Sequence, residues 1–284
     1  MKAYQIGLYE KAMPGTLDWR QKLTCAGEAG FDYVEISIDE TDEKLARLQW
    51  TDRERAALVD IMQEVGVPIR SMCLSGHRKY PLGSHDEAVR RRSMEIMEQA
   101  IVLAADLGIR SIQLAGYDVY YEEGDADTRR WFRENLKRAV DRAAAMGIDM
   151  GFETMETGFM NTVGKAMAYV NEINSPYLGV YPDLGNITNA AGGHGLSVLE
   201  DMRSGSGHLV AMHLKETLPG VFREVPFGTG HVDFEEGIAE AWRLGVRRYV
   251  VEMWYTGSDS WNEDIGAAYR KMSAILERQG TEEK

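Results

Sequence analysis

Residues 143–153 read AAAMGIDMGFE. An alanine-rich helical end runs into Gly147 and then into a short apolar strand that stops on Glu153. Glycine just past a helix takes the left-handed conformation without a Cβ penalty, so the chain can turn and enter a buried strand at once. The same pattern returns as AGEAGFDYVEI at Gly30, QEVGVPIRSMCL at Gly66, AADLGIRSIQL at Gly108 and WRLGVRRYVVE at Gly245. The unit length varies, so this is the αβ turn of an alternating fold and not a solenoid repeat.

Strands are predicted over about 4–9, 33–38, 68–74, 110–114, 149–153, 178–182, 209–213 and 248–252, with helices between and after them. Eight strands alternating with helices imply a parallel α/β sheet. Closure into a (β/α)₈ barrel suits 284 residues and this strand count better than an open sheet. No GxGxxG follows the first strand, which speaks against a dinucleotide-binding sheet. No linker-like tract divides the chain, so residues 1–284 are read as one barrel domain; NAAGGHGLS near 189–197 reads as a loop. After Ser84 the helix logic is clearest. Ser84 and Glu87 have capping-box spacing, and Val89, Ser93, Ile96, Ala100, Leu103 and Leu107 form a stripe that would face the sheet.

Four side chains end successive apolar runs: Glu153 in MGFE, Asp183 in LGVYPD, His213 in LVAMH and Glu252 in YVVE, at intervals of 30, 30 and 39 residues. Each alone is an ordinary strand-end residue. In a barrel, however, the C-terminal ends of the strands share one face, and the active site lies there. Two glutamates, an aspartate and a histidine brought together from strands five to eight make a site for a divalent cation, because like charges held close are costly without a counter-ion. Mn²⁺ is the first expectation, with Mg²⁺, Co²⁺ and Zn²⁺ also accepting such donors.

A net charge of −13 argues against gripping a nucleic-acid backbone, whose affinity comes from Lys and Arg neutralising phosphates. Cys25 and Cys73 form no CxxC pair and read as small buried hydrophobes in a reducing compartment. No apolar run is long enough to cross a membrane, and MKAYQIGLYEKAMPG lacks the core of a signal peptide, so the protein is expected to be cytoplasmic. A homodimer is the default assembly.

The segments FETMET, VYPDLGN, HLKET, REVPFGTGHVDF and VEMW resemble the xylose-isomerase-like TIM-barrel superfamily of sugar isomerases and ketose 3-epimerases. More closely, YEKAMP, SIDETDEKLARLQW, SMCLSGHRKYPLGS, QLAGYDVYY and VPFGTGHVDF look like the L-ribulose-5-phosphate/L-xylulose-5-phosphate 3-epimerases of bacterial pentose and ascorbate catabolism, over about residues 4–280. The resemblance implies a metal-dependent isomerase that moves a proton at C3 of a ketose through an enediolate. It implies that Glu153 and Glu252 are both metal ligands and the acid/base pair, and that Asp183 and His213 hold the metal without carrying protons. It also implies that Arg223 either hydrogen-bonds the oxyanion developing at C2 or orients the sugar. The free-ketose epimerases often carry a histidine three residues after the metal aspartate; here that position is Asn186, still able to bind a hydroxyl.

A phosphate on the substrate asks for cations at the same face. His77, Arg78 and Lys79 cluster after strand three, and Lys215 and Lys11 stand near other strand ends. Glu10, Glu35 and Gln113 are strand-end candidates for sugar hydroxyls or for supporting the metal ligands. Trp254 and Tyr255 are placed to cover the site. His85, His194, His208 and His231 are read as structural or solvent-facing, and Asp233 as a helix cap. Rival readings are a 3-epimerase of free ketoses, an aldose–ketose isomerase, an apurinic-site endonuclease barrel, which the acidic balance disfavours, and a non-catalytic sugar-binding barrel.

Overall fold

The computed structural model describes residues 2–195 and 197–282. Among them, eight parallel strands form one sheet: β1 (Gln5–Tyr9), β2 (Tyr33–Ser37), β3 (Ile69–Leu74), β4 (Ser111–Ala115), β5 (Asp149–Glu153), β6 (Leu178–Tyr181), β7 (Met212–Leu214) and β8 (Arg248–Val251). From β1 to β6 each strand pairs with the next, β7 pairs with β8 and β8 with β1, so the sheet curls round until β6 and β7 face each other. Around it lie α1 (Trp19–Glu28), α2 (Asp42–Ala46), α3 (Asp52–Val65), α4 (Glu87–Leu107), α5 (Ala126–Ala145), α6 (Val163–Ile173), α7 (Leu184–His194), α8 (Val198–Ser204), α9 (Phe234–Arg243) and α10 (Trp261–Glu282).

The five glycines that punctuate the sequence all adopt positive φ, between 67° and 102°. Strand alternation then sorts the side chains. Ile6, Leu8, Val34, Ile36, Met72 and Leu74 face the helices and join the large apolar core. Tyr9, Tyr33, Cys73, Tyr181, Ala211 and Val250 face inward and pack with one another as a plug inside the barrel. Below that plug, the Arg248 guanidinium meets Asp149 at 3.2 Å between β8 and β5.

The barrel closes at the β6–β7 seam by isolated bridges, Val180 to Leu209 and Asp183 to His213, and not by a continuous ladder. The glycine pair Gly151 and Gly179, partners in register, lets the chain approach there. A Cβ on Gly179 would stand 2.4 Å from the His208 carbonyl oxygen, and one on Gly151 would stand 2.5 Å from Val210. Residues 209–211 therefore lie against glycine and not in a regular ladder, and β7 starts later than the apolar run from Leu209 suggests.

Two local readings are corrected. Asp86 caps α4 through Ala88, while Ser84 accepts from the Asp86 amide, so the Ser84/Glu87 capping box does not form. The stripe from Ser93 to Leu107 is buried as expected, with Val89 half-buried. The segment from 189 is helical up to His194, because Asp183 starts α7; Leu196 lies outside the described residues. Among the described residues no helix is long and apolar enough to cross a membrane.

Candidate active site

Glu153 is the last residue of β5, in register with Tyr181 of β6. Two residues past β6, Asp183 caps α7: one carboxylate oxygen accepts the Asn186 amide at 2.7 Å. The Asp183 amide is itself bound by the Thr154 hydroxyl at 2.9 Å. The parallel bridge between Asp183 and His213 sets these two side by side, and the Glu252 amide donates to the Leu214 carbonyl at 2.9 Å. All four side chains are buried, and one donor atom from each lies within 4.8 Å of the others.

His213 is oriented from behind. Its Nε2 lies 2.6 Å from Glu35 Oε1, while the other Glu35 oxygen is taken by Ser71 at 2.7 Å and by Tyr181 at 3.1 Å. An Nε2–H donating to Glu35 leaves Nδ1 facing Glu252 at 3.0 Å, Glu153 at 3.8 Å and Asp183 at 3.9 Å. The Gln113 amide nitrogen sits 3.1 Å from the ring. Glu35 is thus spent on orienting His213 from within the barrel.

The electrostatics are those of an anionic cage. Lys215 reaches Asp183 at 2.8 Å and Glu252 at 3.4 Å. Burial, and then Glu252, push the Glu153 carboxyl up to about 8. Burial likewise pushes Asp183 up to about 7, against the pull of Lys215. Glu252 goes the other way: burial is outweighed by Lys215 and His213, which hold it well below the usual carboxylate range. Without a cation, Glu153 and Asp183 are thus pushed toward the protonated form while Glu252 stays ionised. A divalent ion would replace those protons. Three oxygen donors and an imidazole nitrogen, converging with Nδ1 turned inward, fit such an ion.

Above the cage opens a small cleft at the ends of the strands. Lys215, Asn186, Arg223 and Arg78 all line it, as do Lys11, Glu156 and Trp254. Asn186 spends its amide on the Thr154 carbonyl at 2.7 Å, which leaves its buried oxygen unpaired at the cleft. Arg78 lies 3.3 Å from the Tyr117 hydroxyl and over the Tyr120 ring. Arg223 reaches Glu156 at 3.2 Å.

Three expected contacts fall elsewhere. Glu10 is buried, and its oxygens are engaged by Arg47 at 2.5 Å, Lys44 at 2.6 Å and the Ser37 amide at 2.9 Å, which leaves it no free acceptor for a sugar. His77 turns away to the Ser93 carbonyl at 3.2 Å, and burial lowers it to about 4, so it offers a phosphate no charge. Lys79 points outward, 3.8 Å from Asp42. Of the basic triplet, Arg78 alone lines the cleft. Among the other histidines, His85 bridges Glu122 and Asp125, and His231 contacts Thr217; the His194 side chain lies outside the described ones. Asp233 caps α9 through the Glu236 amide. Sequence reading missed Glu156, which gathers Tyr117, Tyr120 and Arg223; its signal was the second acid in FETMET, three residues past Glu153.

The family model described as xylose isomerase-like TIM barrel matches residues 24–275. The chain is 44% identical over 285 residues to the L-ribulose-5-phosphate 3-epimerase UlaE of Shigella sonnei (strain Ss046), covering 99% of this chain and 98% of that one. It is 44% identical to the UlaE of Salmonella heidelberg (strain SL476), covering 98% and 97%. In fold it is similar to a D-psicose 3-epimerase crystallised in the presence of D-fructose, with TM-score 0.80 and 17% identity over 96% of this chain and 99% of that one. With the match spanning most of the chain, the protein belongs to the xylose isomerase-like TIM-barrel family, as a homologue of the L-ribulose-5-phosphate 3-epimerases.

Proposed function

We propose that the cleft interconverts L-ribulose 5-phosphate and L-xylulose 5-phosphate by removing the proton at C3 and returning one to the opposite face. The observation that carries this reading is the meeting of Glu153 and Glu252, two buried carboxylates, in one group with Asp183 and His213, in a chain 44% identical to an enzyme named for that reaction. Epimerisation needs a proton carrier on each face of one carbon, and two carboxylates at the ends of β5 and β8 can supply them. One takes the C3 proton and the enediolate forms. The other gives its own proton from the far side, and the pair ends with its roles exchanged.

Glu153, Asp183, His213 and Glu252 would hold the divalent ion, with Mn²⁺ our first choice. When bound, it supplies Lewis-acid stabilisation of the negative charge that develops on the sugar oxygens. Lys215 keeps Glu252 ionised and, beside Asp183, borders the same charge. Asn186 presents its unpaired oxygen to a sugar hydroxyl. Arg78 and Lys11 line the part of the cleft at the ends of β3 and β1, and we assign them the phosphate; Arg223 orients the sugar. Free thiols at Cys25 and Cys73 support a cytoplasmic setting. We carry the homodimer as the assembly state, to be checked by sedimentation velocity.

The test is proton exchange at C3 in deuterated water, followed by NMR with metal-loaded protein. Both pentulose 5-phosphates should exchange, and Glu153→Gln or Glu252→Gln should slow turnover by about 10²-fold or more. Arg78→Ala should weaken turnover of the phosphorylated sugar and leave that of the free ketose unchanged. Absence of exchange from either phosphorylated sugar would refute the assignment.

A further inference from the structure

The REVPFGTGHVDF stretch finds its physical reason in Glu216, which lies three residues past His213 and is buried. One Glu216 oxygen accepts the Gly228 amide at 2.8 Å. The other accepts the Val232 amide at 3.2 Å and that of Thr217 at 3.4 Å. Gly230 is pressed against the same carboxylate: a Cβ there would stand 2.3 Å from Glu216 Oε1 and 2.2 Å from the Thr217 carbonyl oxygen. The His231 amide closes the ring onto that carbonyl at 3.0 Å. Both ends of segment 217–232 are therefore tied at one buried charge.

Between those ends the chain is set with equal care. Leu218 and Val221 exchange backbone hydrogen bonds of 3.1 and 2.8 Å, and the Gly220 amide reaches Asn189 at 3.0 Å. Phe222 and Arg223 then enter the cleft wall. Directly after Arg223, Glu224 sits at φ 61°. A glutamate keeps a left-handed backbone only where its surroundings over-determine it.

We propose that Glu216 is a positioning residue: its carboxylate latches loop 217–232 and so fixes the Arg223 guanidinium against the substrate. The inference rests on the reading of Arg223 as a substrate contact. Hydrogen bonds from backbone amides to an ionised acceptor are stronger than neutral ones, and this acceptor has no solvent to turn to instead.

The experiment compares Glu216→Ala and Glu216→Gln, each alone and with Arg223→Ala, in metal-loaded protein. Glu216→Ala should raise KM at least about tenfold with kcat changed less than about threefold, and should do less than about twofold further harm once Arg223 is gone. Manganese affinity should not move, and limited proteolysis should cut within 217–232 faster. Glu216→Gln, which keeps one acceptor, should shift the same quantities in the same direction by less, and it carries the test should the alanine variant fail to fold. An undiminished loss in the Arg223→Ala background, or an unchanged KM, would overturn the proposal. If the unmodified protein epimerises neither sugar, the functional reading falls instead, and the latch is still judged by proteolysis: an unchanged cleavage rate in Glu216→Ala refutes it.

Discussion

The His213 ring is buried and held at both nitrogens, with Glu35 on one side and three carboxylates on the other. A ligand histidine whose second nitrogen donates to a carboxylate is fixed in tautomer and in orientation. Replacing Glu35 with Gln keeps the shape but weakens that hold. We expect manganese affinity, measured by titration calorimetry, to fall about 10–100-fold; an affinity equal to wild type would show that the pairing does nothing for the ion. Glu10 and Glu35 look alike in sequence, each an acid near the end of an early strand. They part because cations from α1, α2 and the turn after it, Lys22, Lys44 and Arg47, converge on Glu10. Those partners lie 12 to 37 residues away in the chain, a distance local patterns do not bridge. The His77–Lys79 turn shows the same limit. His77 and Arg78, which end a short 3₁₀ segment, and Lys79, which caps it, point inward, into the cleft and outward in succession.

At the scale of elements, strand ends were legible because each strand is preceded by a glycine turn or a short apolar entry and alternates on a period of two. That is why the four cage residues could be named from spacing. The β6–β7 seam was not legible, because it depends on what glycine lacks. A methyl group on Gly179 would collide with the backbone at 208, an atom that cannot swing aside. Gly179→Ala should therefore destabilise the protein by about 1–3 kcal/mol. Because the seam sets Asp183 beside His213, the variant should also bind manganese less tightly. A denaturation midpoint matching wild type would mean that the seam has slack. The N-terminus of α4 is a smaller case. Ser84, Asp86 and Glu87 all offer capping chemistry, and the choice of Asp86 follows from the loop geometry.

For the whole molecule, a buried group of like charges opposes folding until a cation joins it. An ion that binds only the folded chain stabilises it by mass action, about 2.7 kcal/mol when its concentration is a hundred times Kd. Stripping the ion with a chelator should therefore lower Tm by roughly 5 °C for a chain of this size, and re-adding manganese should restore it. Calorimetry that finds no difference would argue that the cage does not take up the ion. The same scans bear on the proposal that residues 1–284 form one domain, for which a single cooperative transition is expected.

The tyrosine plug inside the barrel has a consequence for traffic. Tyr9, Tyr33 and Tyr181, all buried, pack together in the lumen beneath the cage, so among the described residues the way in lies at the strand ends. Whatever arrives must leave by the way it came. The two sugars of a reversible reaction then queue at one entrance, each shutting out the other. Product acts as a competitor of substrate, and net flow depends on its removal by the next step outside.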